Sequence, residues 1–255
     1  MTLEARPWPI FVLSLAGEEA RRAPLLSALR DMGLVSEVLI GVDGRDGLPA
    51  WAERQVDRYT PHLPTRQMTD GELACALSHT RAYRKILTDG LPGAIIFEDD
   101  ARLEATFLGF IQARVYERSQ MVLLGHRKTW VRRSTKVPLS DEVDGYRVIG
   151  SPLLAHGYSV SRNTAGWLLR HALPIRAPAD WPCDLSRIEV FASCPQLARQ
   201  CEGGTASSHL EAERLTMTQT TRNGRRYLQG AYWGRFIAKR LKSEWWRKRV
   251  HMRIA

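Results

Sequence analysis

Two kinds of pattern alternate along the first hundred residues: short unbroken apolar runs, and longer stretches with helical period. Ile10–Leu15 is apolar almost throughout and ends at the turn around Gly17. A run of that length without polar alternation predicts a strand buried on both faces, as parallel strands are. Over residues 18–32 the period changes, with Leu25, Leu26, Leu29 and Met32 on one face and Gly33 as a stop, which predicts a helix. Val35–Val42 is a second strand, closed by Asp43 and Gly44. Strand, helix and strand in this order predict a βαβ unit and a layered α/β fold.

Residues 48–68, rich in Pro and mixed polar residues, read as an irregular excursion. Thr69 and Glu72 have the spacing of a capping box and open a helix to about Asp89, where Gly90 and Pro92 end it. Gly93–Phe97 is another buried strand, with Glu98, Asp99 and Asp100 at its carboxyl end. A helix over 104–118, a strand over Met121–Gly125, a strand over His156–Ser161 and a helix over 163–172 follow. The polar stretch 126–150 predicts only a hairpin or loops. No internal repeat or low-complexity block interrupts the chain.

Charge changes this picture in one place. The net charge of +10 suggests nucleic acid until it is located. Residues 222–255 hold eleven Lys and Arg against Glu244 alone, so the other 221 residues carry 26 side chains of each sign. The basic character belongs to a tail, which divides the chain into a domain over 1–221 and a basic aromatic tail over 222–255. From residue 228 the tail reads as a helix with Trp233, Ile237, Leu241 and Trp245 in one row and Arg235, Lys239 and Lys242 opposite. That face suits peripheral contact with an anionic membrane; packing on the domain and nucleic-acid contact are the alternatives, the last disfavoured by the neutral domain. Four cysteines without CxxC spacing fit reduced thiols of a cytosolic protein. The single N-terminal apolar run is too short for a signal-peptide core or a spanning helix. Together these predict a cytoplasmic protein at the inner face of the plasma membrane.

Candidate chemistry centres on the acidic turn. In open α/β sheets ligands bind beyond the carboxyl ends of strands. Glu98 and Asp100, two residues apart on an extended backbone, are expected to project to the same side, where a hard divalent cation such as Mn²⁺ or Mg²⁺ would relieve their repulsion. An exposed acidic turn is the plain alternative. Ser14, Leu15, Arg21 and Arg22, at the first strand's end and the next helix, are candidates for nucleotide contacts or, for the arginines, solvated helix residues. Asp43 and Gly44 are a uridine contact or a turn. Ser78, His79 and Lys85 lie on the helix before the acids; Ser78 and Lys85 align on one face, and Lys85 is a phosphate-contact candidate or a surface lysine. No nucleophilic Ser-His-Asp or Cys-His arrangement is present, and no P-loop or GxGxxG fingerprint, which disfavours an ATPase or an NAD enzyme.

Several ordered segments resemble glycosyltransferase family 25, typified by lipooligosaccharide β-1,4-galactosyltransferases: Val12–Leu15 followed by Arg21 and Arg22, Gly41–Gly44, Gly71–His79, Ala94–Asp100, His156–Arg162 and Asp180–Asp184. The resemblance covers about residues 10–210. It implies a GT-A-type mixed sheet flanked by helices and an inverting transfer from a UDP-sugar, with galactose as the expected hexose and a lipopolysaccharide or other surface glycan as acceptor. It also implies a DxD-like metal site in which Asp100 is the direct ligand, with Glu98 or Asp99 nearer ribose or metal-bound water. His209 is a further metal-ligand candidate beside a Ser-Ser element, although the family usually lacks His there. The resemblance places Asp180–Asp184 near the acceptor, with Trp181 stacking on a sugar. Asp184, ahead of Asp180, is the expected general base, and helix capping is the alternative role for Asp180. A non-catalytic glycan- or membrane-binding module on the same fold is the competing reading.

Overall fold

The computed structural model describes residues 7–58, 67–150, 152–201 and 251–254. The elements in order are β1 (Ile10–Ser14), α1 (Glu19–Asp31), β2 (Ser36–Ile40), α2 (Ala50–Glu53), α3 (Asp70–Thr88), β3 (Gly93–Glu98), β4 (Ala101–Leu103), α4 (Phe107–Ala113), β5 (Met121–Leu123) and β6 (Thr129–Arg132). They continue with β7 (Val137–Pro138), β8 (Asp144–Arg147), β9 (Gly157–Ser161), α5 (Arg162–Ala172), β10 (Val190–Cys194), β11 (Ala198–Gln200) and β12 (His251–Ile254). Eight strands make the main sheet in the order β2-β1-β3-β9-β5-β10-β8-β7. β1 pairs in parallel with β2 and β3, whereas β9 runs antiparallel to both β3 and β5. This is the mixed sheet with flanking helices that the resemblance implies.

The unbroken apolar runs are explained by burial on both faces. Phe11, Leu13, Ala94 and Ile96 point into a core layer shared with Ala82 and Ile86 of α3 and Leu168 of α5. Their alternates Ile10, Val12, Ile95 and Phe97 face the other layer, with Leu25 and Leu29 of α1 and Phe107 and Phe110 of α4. Period two along each strand thus feeds two separate apolar layers. Because α1 leads from β1 to β2 on one face and α3 leads from β2 to β3 on the other, strand order reverses at β1. The carboxyl ends of β1 and β3 form the switch point where a crevice opens.

α3 begins as the spacing predicts. Thr69 Oγ1 accepts from the Glu72 N–H and Glu72 Oε2 accepts from the Thr69 N–H, at 3.1 and 3.0 Å. The helix expected over 104–118 is shorter: α4 stops at Arg114, which adopts φ 54°, and a 3-10 turn over Val115–Arg118 follows. β10 and β11, without alternation strong enough to mark them, are additions to the expected elements. At the far end, β12 pairs antiparallel with β6, Met252 opposite Val131 and Ile254 opposite Thr129. Four residues of the expected helical tail are therefore a strand returned to the domain, with Ile254 buried in the core layer of α3 and α5. The amphipathic row Trp233–Trp245 and His209 lie outside the described residues.

Candidate active site

Hydrogen bonds from the segment after β1 converge on the acidic turn after β3. Ser14 Oγ donates to Asp99 Oδ2 at 2.8 Å, Arg21 Nε to Asp99 Oδ1 at 2.6 Å, and Arg21 Nη2 to Asp100 Oδ2 at 2.8 Å. Arg22 Nη1 donates to Ser14 Oγ and to the Leu15 carbonyl, both at 3.2 Å. Gln200 on β11 donates a 3.2 Å bond to Asp100. Arg21 and Arg22 are thus site residues that reach back to the strand ends. The two carboxylates gathered on one guanidinium are Asp99 and Asp100, not Glu98 and Asp100. The extended backbone ends at Glu98, and the turn that starts at Asp99 breaks the period-two projection.

Glu98 points the other way, toward α3. Its Oε1 lies 3.1 Å from His79 Nε2 and accepts a long 3.9 Å contact from Cys75 Sγ. His79 Nδ1 is 2.8 Å from the Tyr158 hydroxyl, which donates to Tyr83 at 2.9 Å, so a buried polar chain runs from the acid into the core. Burial alone would push the Glu98 carboxyl up, but the hydrogen bond and charge of His79, with His156 and Arg21, hold it below its ordinary value. Asp100 shifts the opposite way: burial and then the charge of Glu98 raise it, and Arg21 only partly opposes them. Asp100 Oδ1 is buried without a hydrogen-bond partner among the described residues.

Ser14, Arg21, His79, Glu98 and Asp99 line an open cleft of about 790 Å³ at the switch point, together with Gly41–Arg45 and with Gly71, Ala74, Cys75 and Ser78 of α3; Asp100 stands behind that lining, tied to Arg21. Ser78 fixes this wall: its Oγ accepts from the Val42 N–H and donates to the Ala74 carbonyl, both at 2.8 Å. Gly44 is demanded by close approach, because a Cβ there would stand 2.5 Å from the Asp70 carbonyl oxygen and 2.9 Å from the Gly71 nitrogen. Asp43 faces the cleft mouth and is clasped by Arg45, whose Nε and Nη2 donate to it at 3.0 and 2.6 Å. Arg45, Tyr158 and Gln200 are residues that the sequence reading did not single out. Cys75 and His79, four apart on one helix, carried a legible signal for a shared face.

Three expectations fail here. Lys85 is not a phosphate contact: it pairs with Asp89 at 2.8 Å and Glu37 at 3.2 Å. Seven residues along a helix is about 10 Å of axial rise, so sharing a face with Ser78 still leaves Lys85 far down the sheet. Trp181 is not a sugar platform: it is buried in the core, edge-on to Tyr158 at 5.2 Å between ring centroids. Its backbone sits at φ 90°, which is rare for a bulky residue, and its indole N–H has no partner among the described residues. Asp184, the expected base, caps a turn instead: exposed, it accepts from the Ser186 N–H at 3.0 Å and opens the 3-10 turn Leu185–Arg187. Neither Asp184 nor Asp180 lines the cleft.

The profile of Glycosyltransferase family 25 (LPS biosynthesis protein) matches residues 8–183. Among similar proteins, "Probable inactive glycosyltransferase 25 family member 3" of Bos taurus is 31% identical over 171 residues, which is 65% of this chain and 27% of that protein. "Procollagen galactosyltransferase 1" of Danio rerio is 27% identical over 137 residues, 50% of this chain and 23% of that protein. The chain thus spans about a quarter of the length of the curated relatives it matches. A solved structure described as mannose-1-phosphate geranyltransferase from Thermus thermophilus overlaps 72% of each chain at 11% identity and a TM-score of 0.32, too slight a likeness to argue from.

Proposed function

The chain belongs to glycosyltransferase family 25, and we propose that it transfers a hexose, galactose from UDP-galactose, to a lipopolysaccharide, lipooligosaccharide or other surface glycan. The observation that carries this reading is the acidic turn at the switch-point cleft: Glu98 and Asp99 line the cleft, and Ser14 and Arg21 hold Asp99 and the adjoining Asp100 in place. The galactose assignment leans on the galactosyltransferase named among the relatives.

The residues present fit a hard divalent cation. Asp99 and Asp100 offer only oxygen donors, and Asp100 retains an unpartnered buried oxygen and a carboxyl raised by burial and by Glu98. Both features mark a place short of positive charge. Asp100 and Asp99 would hold Mn²⁺ or Mg²⁺, which supplies Lewis-acid neutralisation of charge growing on the departing UDP. Arg21 orients both acids and adds a fixed positive charge beside the diphosphate path. Gly44 and Ser78 shape the opposite wall for the nucleoside. His79 keeps Glu98 ionised and turned toward α3. The Asp180–Asp184 segment, expected to supply the general base, contributes no acid to the cleft lining, and the base is left unassigned.

The test is UDP-galactose turnover with and without Mn²⁺. Wild type is expected to show metal-stimulated hydrolysis or transfer, and Asp100→Ala to abolish it while the circular dichroism spectrum is unchanged. Turnover indifferent to Mn²⁺, or retained in Asp100→Ala, would sink the proposal. The competing reading, a non-catalytic binding module, draws support from the word "inactive" in the name of the bovine relative; UDP-galactose binding without any turnover would favour it. Placement at the cytoplasmic face of a membrane rests on the basic aromatic tail. No helix among the described residues is long and apolar enough to cross a membrane.

A further inference from the structure

Beside the acidic turn, the cleft wall carries a second donor set of different chemistry. Cys75 and His79 stand one turn apart on α3, and Glu98 ends β3 opposite them, so two regular elements fix all three side chains. Their ligand atoms (Sγ, a ring nitrogen and a carboxylate oxygen) all lie within 4.8 Å of one another. His79 Nε2 is 3.1 Å and Cys75 Sγ 3.9 Å from the same Glu98 oxygen. Around a tetrahedral Zn²⁺ with bonds of about 2.0–2.3 Å, neighbouring ligands stand roughly 3.3–3.8 Å apart. The observed spacing meets that within a few tenths of an ångström on two edges. The other ring nitrogen of His79 already has the Tyr158 hydroxyl as partner, the kind of outer contact that orients a metal-bound imidazole.

We propose that Cys75, His79 and Glu98 bind a thiophilic divalent cation of the Zn²⁺ class, with its fourth position open to the cleft. A thiolate and a carboxylate bring two negative charges, which a divalent ion balances. Sulfur and imidazole nitrogen select Zn²⁺ over Mn²⁺ or Mg²⁺, whereas the oxygen-only pair Asp99 and Asp100 favours the hard ions. All three donors line the cleft, so the open position faces the space where water or a phosphate oxygen would complete the shell. The cleft thereby holds two neighbouring sites of opposite preference. This inference does not depend on the transferase reading, since it is read by metal binding rather than turnover.

The experiment uses the untagged full chain, stripped of metal and titrated with Co²⁺ as a spectroscopic probe. Wild type is expected to bind one Co²⁺ with a thiolate-to-cobalt absorption band that stoichiometric Zn²⁺ removes. Cys75→Ser should lose the band and weaken Zn²⁺ binding about 10-fold or more, and Asp100→Asn should keep the band. Absence of the band in wild type, its survival in Cys75→Ser, or its loss in Asp100→Asn would overturn the assignment. Should Cys75→Ser fail to fold, alkylation of wild-type Cys75 followed by peptide mass spectrometry decides instead. Zn²⁺ must slow the modification, because a metal-bound thiolate is a poorer nucleophile, and an unchanged rate refutes the site.

Discussion

Replacing Arg21 by Met keeps much of its aliphatic bulk and removes the guanidinium that Asp99 and Asp100 share. Two charge-assisted bonds go, at 2.6 and 2.8 Å, to carboxylates whose side chains are only 10% and 12% exposed. Hydrogen bonds to charged groups contribute about 1.5–3 kcal/mol each, and Ser14 and Gln200 retain one bond apiece to these acids. The expected loss is therefore about 2–4 kcal/mol at pH 8, or a melting point lower by roughly 5–15 °C for a domain of this size. Its pH dependence has a definite sign. In the wild type, burial and then Glu98 hold Asp100 above its ordinary value while Arg21 opposes them, so without Arg21 the carboxyl rises further. A carboxyl raised in the folded state costs stability above that folded pKa, and the cost fades as pH falls through it toward the unfolded value. Thermal unfolding followed by tryptophan fluorescence should show the Arg21→Met deficit shrinking from pH 8 to pH 5, and Mn²⁺ should restore part of it at pH 8. A deficit below about 0.5 kcal/mol, or one equal at both pH values, would refute the view that Arg21 compensates the acids.

Gly44→Ala forces a Cβ against the backbone at the start of α3; a loss of about 1–3 kcal/mol with weaker UDP binding by calorimetry is expected, and wild-type values for both would contradict the packing described. Thr69→Ala removes one half of the capping box and should cost about 1 kcal/mol in urea unfolding. Lys85→Gln should leave UDP affinity unchanged and stability within about 1 kcal/mol, because only partly exposed ion pairs are lost; a large drop in affinity would return Lys85 to the site. For the tail, Gln at Lys239, Arg240 and Lys242 together should weaken binding to phosphatidylserine vesicles in sedimentation. Substitution suits this test better than truncation, because β12 belongs to the domain.

Period and punctuation along the chain were sufficient for β1, α1, β2, α3, β3 and β9, since burial on two faces leaves an unbroken apolar run and a capping box is local chemistry. The place of the acids followed as well: a buried parallel strand ending in Glu98 sets its carboxyl end at a crevice. What those acids do there depended on contacts remote in the chain. Arg21 meets Asp99 across 78 positions and Gln200 meets Asp100 across 100, and no spacing rule carries that information. Lys85 and Trp181 show the same limit from the other side. Residue type and helical face suggested a phosphate contact and a sugar platform, but axial distance took one out of the cleft and core packing took the other. Pairing of Cys75 and His79 was visible as one helical turn, and its meaning came only when β3 brought Glu98 alongside, because convergence of donors is a property of the packed sheet and helix together.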